Sequence, residues 1–384
     1  SKLGAVGALI NTNLRDKPLA HAIGVARPRK VLAGGEHADA VREVIGEVEG
    51  VRPDHDFFVQ MEEGTSEGSE AGPIANKSLD VASRKEWADK RKPIADETYC
   101  YIYTSGTTGL PKAAIITNRR MVTAATLFGE AMIEGAPGDV IYIALPLYHS
   151  SAMYIGWGSA LRTGAAVALR KKFSASNFWK DVGDYGATSF LYIGELCRYL
   201  LNTPTQPGES AHKLRVAVGN GLRPDIWEPF QRRFNIPTIR EFYGATEGNA
   251  PVLNFEGRPG MIGRRRMGQV IVKADLATGE PIRNAKGFCE EIEVGETGLL
   301  LGKITKVLKF DGYVDGAATK KKILENVFQK GDQYFNSGDL IVLHDNGWLA
   351  FGDRVGDTFR WKGENVSTNE VAEVLNKADG VLES

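Results

Sequence analysis

Thr104-Ser-Gly-Thr-Thr-Gly-Leu-Pro-Lys112 is the stretch on which the reading of this chain turns. Gly106 and Gly109 let the backbone approach a ligand closely and turn its N–H groups inward. Ser105, Thr107 and Thr108 add hydroxyl donors, and Lys112 adds a positive charge. Together these are the groups a phosphate needs. An apolar, aromatic strand over 99–103 precedes the loop, and the pattern predicts a helix from about Arg119 to Ile133 after it. The Walker A loop is excluded by spacing. That loop has four residues between its glycines and a lysine directly after the second. Here two residues separate Gly106 from Gly109, and the lysine comes three later. The plain alternative, a Ser/Thr-rich surface turn, does not account for nine fitting residues in this setting.

Working outward, strands are predicted at 140–145, 165–169, 189–193, 214–218 and 238–242, with helices between several of them. One helix runs from Pro224 to Phe234, with proline near its first position. Before the loop, 4–10 is apolar, 30–32 suits a short strand and 38–48 has helical spacing. This alternation predicts an α/β fold, with parallel sheets flanked by helices. After about Ile282 the pattern changes to short strands and tight turns. Gly295-Glu-Thr-Gly298 and Asp345-Asn-Gly347 are turn signals, which suggests a small β-rich subdomain. Ser367-Thr-Asn-Glu370 reads as a capping box opening a helix.

Composition narrows the function. Of 384 residues, 42% are hydrophobic and 25% charged, the balance of a globular chain with a large core. A formal net charge of -1 excludes nucleic acid as the partner implied by overall charge. The clusters Arg264–Arg266 and Lys320–Lys322 read as solvated surface, with contact to an anionic membrane left open. Three scattered cysteines, Cys100, Cys197 and Cys289, fit a reducing compartment and carry no metal-ligand spacing. The most apolar run, 145–169, contains His149 and Arg162 and reads as buried core. The chain begins with Ser1 and stops where a helix opens, so it reads as a fragment of a longer protein.

TSGTTGLPK resembles the phosphate loop of the adenylate-forming superfamily, which includes acyl-CoA synthetases, luciferases and peptide-synthetase adenylation domains. The resemblance implies that superfamily's large domain. Its α/β adenylation core would span 1–281 and its β-rich subdomain 282–352. The hinge and the start of a C-terminal α+β lid, largely missing, would occupy 353–384. It implies that Tyr101, Ile102, Tyr103, Thr104, Ser105, Gly106, Thr107, Thr108, Gly109, Leu110, Pro111 and Lys112 bind ATP.

Phe242-Tyr-Gly-Ala-Thr-Glu247 resembles the second core motif. By that resemblance Tyr243 packs on adenine, Thr246 contacts phosphate, and Glu247 helps hold Mg²⁺. A hard carboxylate suits that ion. Lys112, Thr246 and Glu247 would be the catalytic residues. Val218-Gly-Asn-Gly-Leu222 would line adenine through Asn220 and Gly221. Asp339, in Ser337-Gly-Asp-Leu340, would accept from the ribose hydroxyls. Arg354 would contact the nucleotide. Gly356 falls at the hinge position, where the family often carries Asp or Lys, and Gly363 falls where backbone nears the CoA arm. Leu145-Pro-Leu-Tyr-His149 resembles the motif near the acyl site, which would put His149 on the substrate path; a purely structural histidine is the alternative.

Several segments are similar to the fatty acid transport protein / very long-chain acyl-CoA synthetase family: 101–112, 171–182, 192–201, 219–227 and above all 353–371. The resemblance implies ATP-dependent activation of long and very long-chain fatty acids through acyl-AMP, with transfer to CoA. It also implies linked fatty acid uptake. The superfamily's C-terminal lysine has no counterpart here. Implied partners are fatty acid, ATP, CoA and a membrane surface, in a form compatible with a homo-oligomer. The implied location is cytosol-facing membrane: cell membrane, endoplasmic reticulum, peroxisome or lipid droplet. The rivals are a CoA ligase for a bile, aryl or secondary-metabolite acid, and a fatty acid carrier with weak catalysis.

Overall fold

The computed structural model describes residues 4–60, 92–104, 110–354, 358–361 and 364–367, with isolated positions beyond. The chain forms two compact units. The first comprises Ser1–Ala125, Pro146–Gly158 and Asp311–Thr319. The second comprises Thr126–Leu145, Ser159–Phe310 and Lys320–Ser384.

The first unit contains β1 (Gly7–Leu9), β2 (Val31–Gly34), β3 (Phe57–Gln60), β4 (Thr98–Thr104) and β5 (Lys112–Thr117). Strands β1 and β4 run parallel, and β5 returns antiparallel on β4, giving the order β1-β4-β5. β2 and β3 form a separate parallel pair. Helix Ala38–Ile45 turns Ala38, Val41, Val44 and Ile45 inward onto Val31, Phe57 and Val59. That is the spacing of a one-sided amphipathic helix.

The helix expected from about Arg119 to Ile133 is present, but a strand that the sequence pattern did not announce, β5, precedes it. Lys112–Thr117 pairs residue by residue with β4, Thr104 facing Lys112. The loop therefore closes a β-hairpin. Ala113, Ala114 and Ile116 are buried, so this run is a core strand and not a helical lead-in. The helix follows at Asn118–Thr126 and passes into a wider π-helical turn at Leu127–Met132.

The second unit is built on a twelve-stranded sheet. Its parallel part comprises β6 (Val140–Ile143), β7 (Ala166–Leu169), β8 (Ser189–Ile193), β9 (Val216–Asn220) and β10 (Thr238–Tyr243), in the order β7-β6-β8-β9-β10. Helices Phe178–Asp184, Gly194–Asn202 and Pro224–Arg233 connect these strands. Tyr142, Phe178, Trp179, Phe190, Tyr192, Trp227, Phe230 and Phe234 fill the core between. Each such side chain removed from water contributes roughly 2–3 kcal/mol. Parallel strands buried this way read as continuous apolar runs, which is why the sequence pattern exposed them.

The same sheet continues as β11 (Val252–Asn254), β12 (Gly263–Arg264), β13 (Gln269–Val272), β14 (Thr297–Lys303), β15 (Ile323–Glu325), β16 (Gln333–Leu343) and β17 (Trp348–Arg354). These pair antiparallel, in the order β10-β11-β12-β17-β16-β14-β13, with β15 on β16. The predicted turn between β16 and β17 is present: Asn346 and Gly347 have φ of 58° and 73°, as a hairpin of that hand requires. Beyond it, β18 (Thr358–Trp361) and β19 (Glu364–Ser367) form a small hairpin. Ser367 ends that strand, and the rest of the expected capping box lies outside the described residues.

Candidate functional site

The candidate residues divide between the two units. In the first, the β4–β5 hairpin presents the Gly-rich loop. Ile102 and Tyr103 are buried, and Tyr103 donates its hydroxyl to the Ala22 carbonyl at 2.6 Å. Burial pushes the Tyr103 phenol well above its ordinary value. Tyr101 packs against the same small cluster. These side chains fix the hairpin, and Thr104 and Lys112 stand half-buried as its last pair before the loop. His21 lies 3.1 Å from the Pro111 carbonyl and pins the outgoing strand. Leu110 and Pro111 are half-buried. Ser105, Gly106, Thr107, Thr108 and Gly109 lie outside the described residues.

A distant segment completes this hairpin. Gly312–Val314 lies along the outer edge of β5, with the Ile115 N–H donating to Gly312 and the Val314 N–H to Ala113, both at 2.9 Å. Thr117 and Arg120 both donate to Asp311 at 3.3 Å. The Lys112 ammonium sits 6.0 Å from the centroid of the buried Tyr313 ring, within reach of a cation–π attraction. Neither Asp311 nor Tyr313 figures among the residues predicted from sequence. His149 is in this unit too. Its ring tilts against Tyr148 at 4.7 Å, and desolvation holds it below the ordinary histidine value although one side meets solvent.

In the second unit, Asn220, Gly221 and Tyr243 stand at the C-terminal ends of the neighbouring parallel strands β9 and β10. That edge is where open α/β sheets bind ligands. The turn after β9 is tightly held. Gly221 has φ +75°, and a Cβ on Gly194, at the start of helix Gly194–Asn202 after β8, would stand 1.7 Å from the Gly221 carbonyl oxygen. Glu241 on β10 accepts the Leu222 N–H at 2.6 Å and the Tyr192 hydroxyl at 3.2 Å, both on Oε1. It is buried, and desolvation raises its pKa to about 7. Burial likewise raises the neighbouring Tyr192 and Cys197.

Tyr243 donates its hydroxyl to Asp339 at 2.5 Å. Asp339 is buried on β16. It follows Gly338, whose φ is +79°, and Ser337, whose hydroxyl accepts the Asp339 N–H at 3.1 Å. In the β16–β17 ladder Arg354 faces Asp339. The structure thus brings Tyr243, Asp339 and the Arg354 backbone together. Thr246 and Glu247 follow β10 in a tight turn closed by the Gly248 N–H on the Ala245 carbonyl. Thr246 is half-buried and Glu247 is 6% exposed. Gly356 and Gly363 lie outside the described residues.

Residues 1–302 match the family described as AMP-binding enzyme. The chain belongs to that family. Solved structures share its fold. MatB from Rhodopseudomonas palustris, solved with ATP bound, superposes with a TM-score of 0.73 at 20% identity, covering 97% of this chain and 68% of that one. An anthranilate CoA ligase, solved with anthranoyl-AMP, gives 0.74 at 20% identity over 100% and 70%. Among sequences, the chain is 44% identical to mouse long-chain fatty acid transport protein 1 over 99% of its own length. It is 40% identical to a medium/long-chain-fatty-acid–CoA ligase of Mycobacterium tuberculosis over 97%. It spans about 60% of the length of both relatives.

Magnesium is the metal an adenylating site would take, and Glu247 is the carboxylate that would meet it. Among the described residues no three His, Cys, Asp or Glu side chains are grouped to hold an ion. A nucleotide-borne Mg²⁺ needs only one or two protein carboxylates beside phosphate and water oxygens. Glu247 offers one. Among the described residues no helix is long and apolar enough to cross a membrane.

Proposed function

We propose that the protein activates long and very long-chain fatty acids with ATP and ligates them to CoA. A fatty acid carboxylate oxygen attacks the α-phosphorus of ATP. The bond to pyrophosphate breaks, and acyl-AMP forms. The CoA thiol, losing its proton, then attacks the acyl carbonyl and AMP leaves.

The observation that carries this reading is chain-wide identity of 40–44% to proteins named for long-chain fatty acids. Lys112 and the loop amides would stabilise charge developing on phosphate. Tyr243 would stack on adenine beside Asn220 and Gly221. Asp339 would accept from ribose, and Thr246 and Arg354 would contact the nucleotide. Glu247 would hold Mg²⁺, which offsets the charge of the departing pyrophosphate. Much of this catalysis is positioning. A movement about Gly356 would separate the two half-reactions. His149 would line the acyl path.

The test is pyrophosphate release by the full-length protein in the absence of CoA. Release that requires a long-chain acid and not benzoate supports the reading; release driven by benzoate alone refutes the fatty acid assignment.

The relatives' name favours a linked reading, fatty acid uptake at a cytosol-facing membrane, driven by trapping the product as its CoA ester. Uptake abolished together with ligation by Lys112→Ala supports trapping. Uptake that persists in that variant refutes it.

A further inference from the structure

Glu241 and Tyr243 share one face of β10, two residues apart. Tyr243 holds Asp339, and Glu241 holds the turn that follows β9. The last residues paired between these strands are Glu241 and Gly219. Leu222 therefore lies past the ladder, and its buried N–H needs an acceptor from elsewhere. Glu241 supplies it at 2.6 Å. On the β8 side the ladder holds the chain only as far as Asn220, which faces Ile193, so Gly221 and Leu222 depend on contacts made beyond it. Tyr192 donates to the same carboxylate oxygen from β8. One carboxylate thus ties three adjacent strand ends together.

This arrangement is costly. Burying a carboxylate disfavours its charged form, which is why Glu241 titrates near 7. An apolar side chain would pack here without that cost, so the acceptor oxygen has a task beyond filling the core.

We propose that Glu241 is a positioning residue for the purine end of the nucleotide, fixing the Asn220–Leu222 turn through the Leu222 N–H and Tyr192 without touching the nucleotide itself. The proposal rests on the reading of that turn as the purine wall. It predicts that Glu241 sets discrimination at the base and leaves phosphate binding alone.

The experiment measures affinities of the full-length protein for ATP, ITP and inorganic pyrophosphate, with KM and kcat alongside. Glu241→Leu removes the buried acceptor and leaves the Leu222 N–H without it, and its ATP affinity is expected to fall roughly 10-fold or more. The preference for ATP over ITP should shrink, and pyrophosphate affinity and kcat at saturating ATP should hold. Glu241→Gln keeps an acceptor oxygen in place and should restore ATP affinity and base preference. Where Glu241→Leu does not fold, Tyr192→Phe takes its place, with a smaller loss of the same kind. The proposal is overturned if ATP and ITP bind these variants as they bind wild type. It is also overturned if ATP and pyrophosphate weaken equally, or if Gln fails to rescue. Wild-type protein that binds no ATP would instead overturn the adenylating function, and the proposal with it.

Discussion

Gly194→Ala puts the narrowest glycine contact in the second unit to the test. The alanine methyl would begin 1.7 Å from the Gly221 carbonyl oxygen and 2.9 Å from the Leu222 nitrogen. Both are backbone atoms, so no rotamer change relieves the clash. The gap must open from 1.7 Å to at least 3.0 Å, the shortest approach real Cβ atoms make. Overpacking of this kind typically costs about 1–3 kcal/mol, occasionally more. A shift exceeding 1 Å against fixed backbone belongs at the upper end, about 3 kcal/mol. Alanine's better helix propensity offsets less than about 1 kcal/mol.

The turn that must yield is the one carrying Asn220 and Gly221, so ATP affinity should fall along with stability. Urea unfolding reads the first effect as a lower midpoint, and ATP titration reads the second. Gly183→Ala is the control. It lies in helix Phe178–Asp184 with nothing within 4 Å of the added methyl, and it should be neutral or stabilising by up to about 1 kcal/mol. A Gly194→Ala protein with wild-type midpoint and wild-type ATP affinity would refute this packing argument.

Three other perturbations test neighbouring parts of the account. Tyr243→Phe removes the hydroxyl that Asp339 accepts and should weaken ATP binding roughly 10-fold or more in titration calorimetry, since hydrogen bonds to charged groups contribute about 1.5–3 kcal/mol; unchanged affinity would exclude that pair from ribose recognition. Asp311→Ala removes the acceptor shared by Thr117 and Arg120, both half or more buried; hydrogen exchange should show faster opening of β5, at a stability cost of about 1–3 kcal/mol. Glu241 sets a pH dependence of stability. Because its pKa is raised from 4.5 to about 7, the folded state binds more protons than the unfolded state between those values. Stability therefore falls as pH rises through that window, and the full loss, about 3 kcal/mol, is present above it. Glu241→Gln should flatten that slope and exceed wild type in stability at pH 8, as measured by urea unfolding at pH 5 and pH 8.

The sequence exposed what local pattern encodes. The parallel strands were legible because burial on both faces leaves uninterrupted apolar runs, as in Val216–Val218. The Asn346-Gly347 turn was legible because few residues adopt its backbone angles. β5 was missed because Ala113 and Ala114 suit a helix as well as a strand, and only pairing with β4 decides between them. Asp311 and Tyr313 were missed because their partners lie about two hundred residues upstream. Glu241 was missed because a glutamate between Arg240 and Phe242 looks like a solvent-facing residue. The alternation of Ile239, Glu241 and Tyr243 on one strand face was the available signal, since Ile239 is an evident core position.

The most direct test is ATP- and CoA-dependent formation of fatty acyl-CoA by the full-length protein. A very long-chain acid, a medium-chain acid and an aryl acid would be compared, with Lys112→Ala as the control. The account predicts thioester formation that favours the long chain and collapses in the variant. A ligase that prefers the aryl acid, or fatty acyl-CoA formation that persists without Lys112, would contradict it.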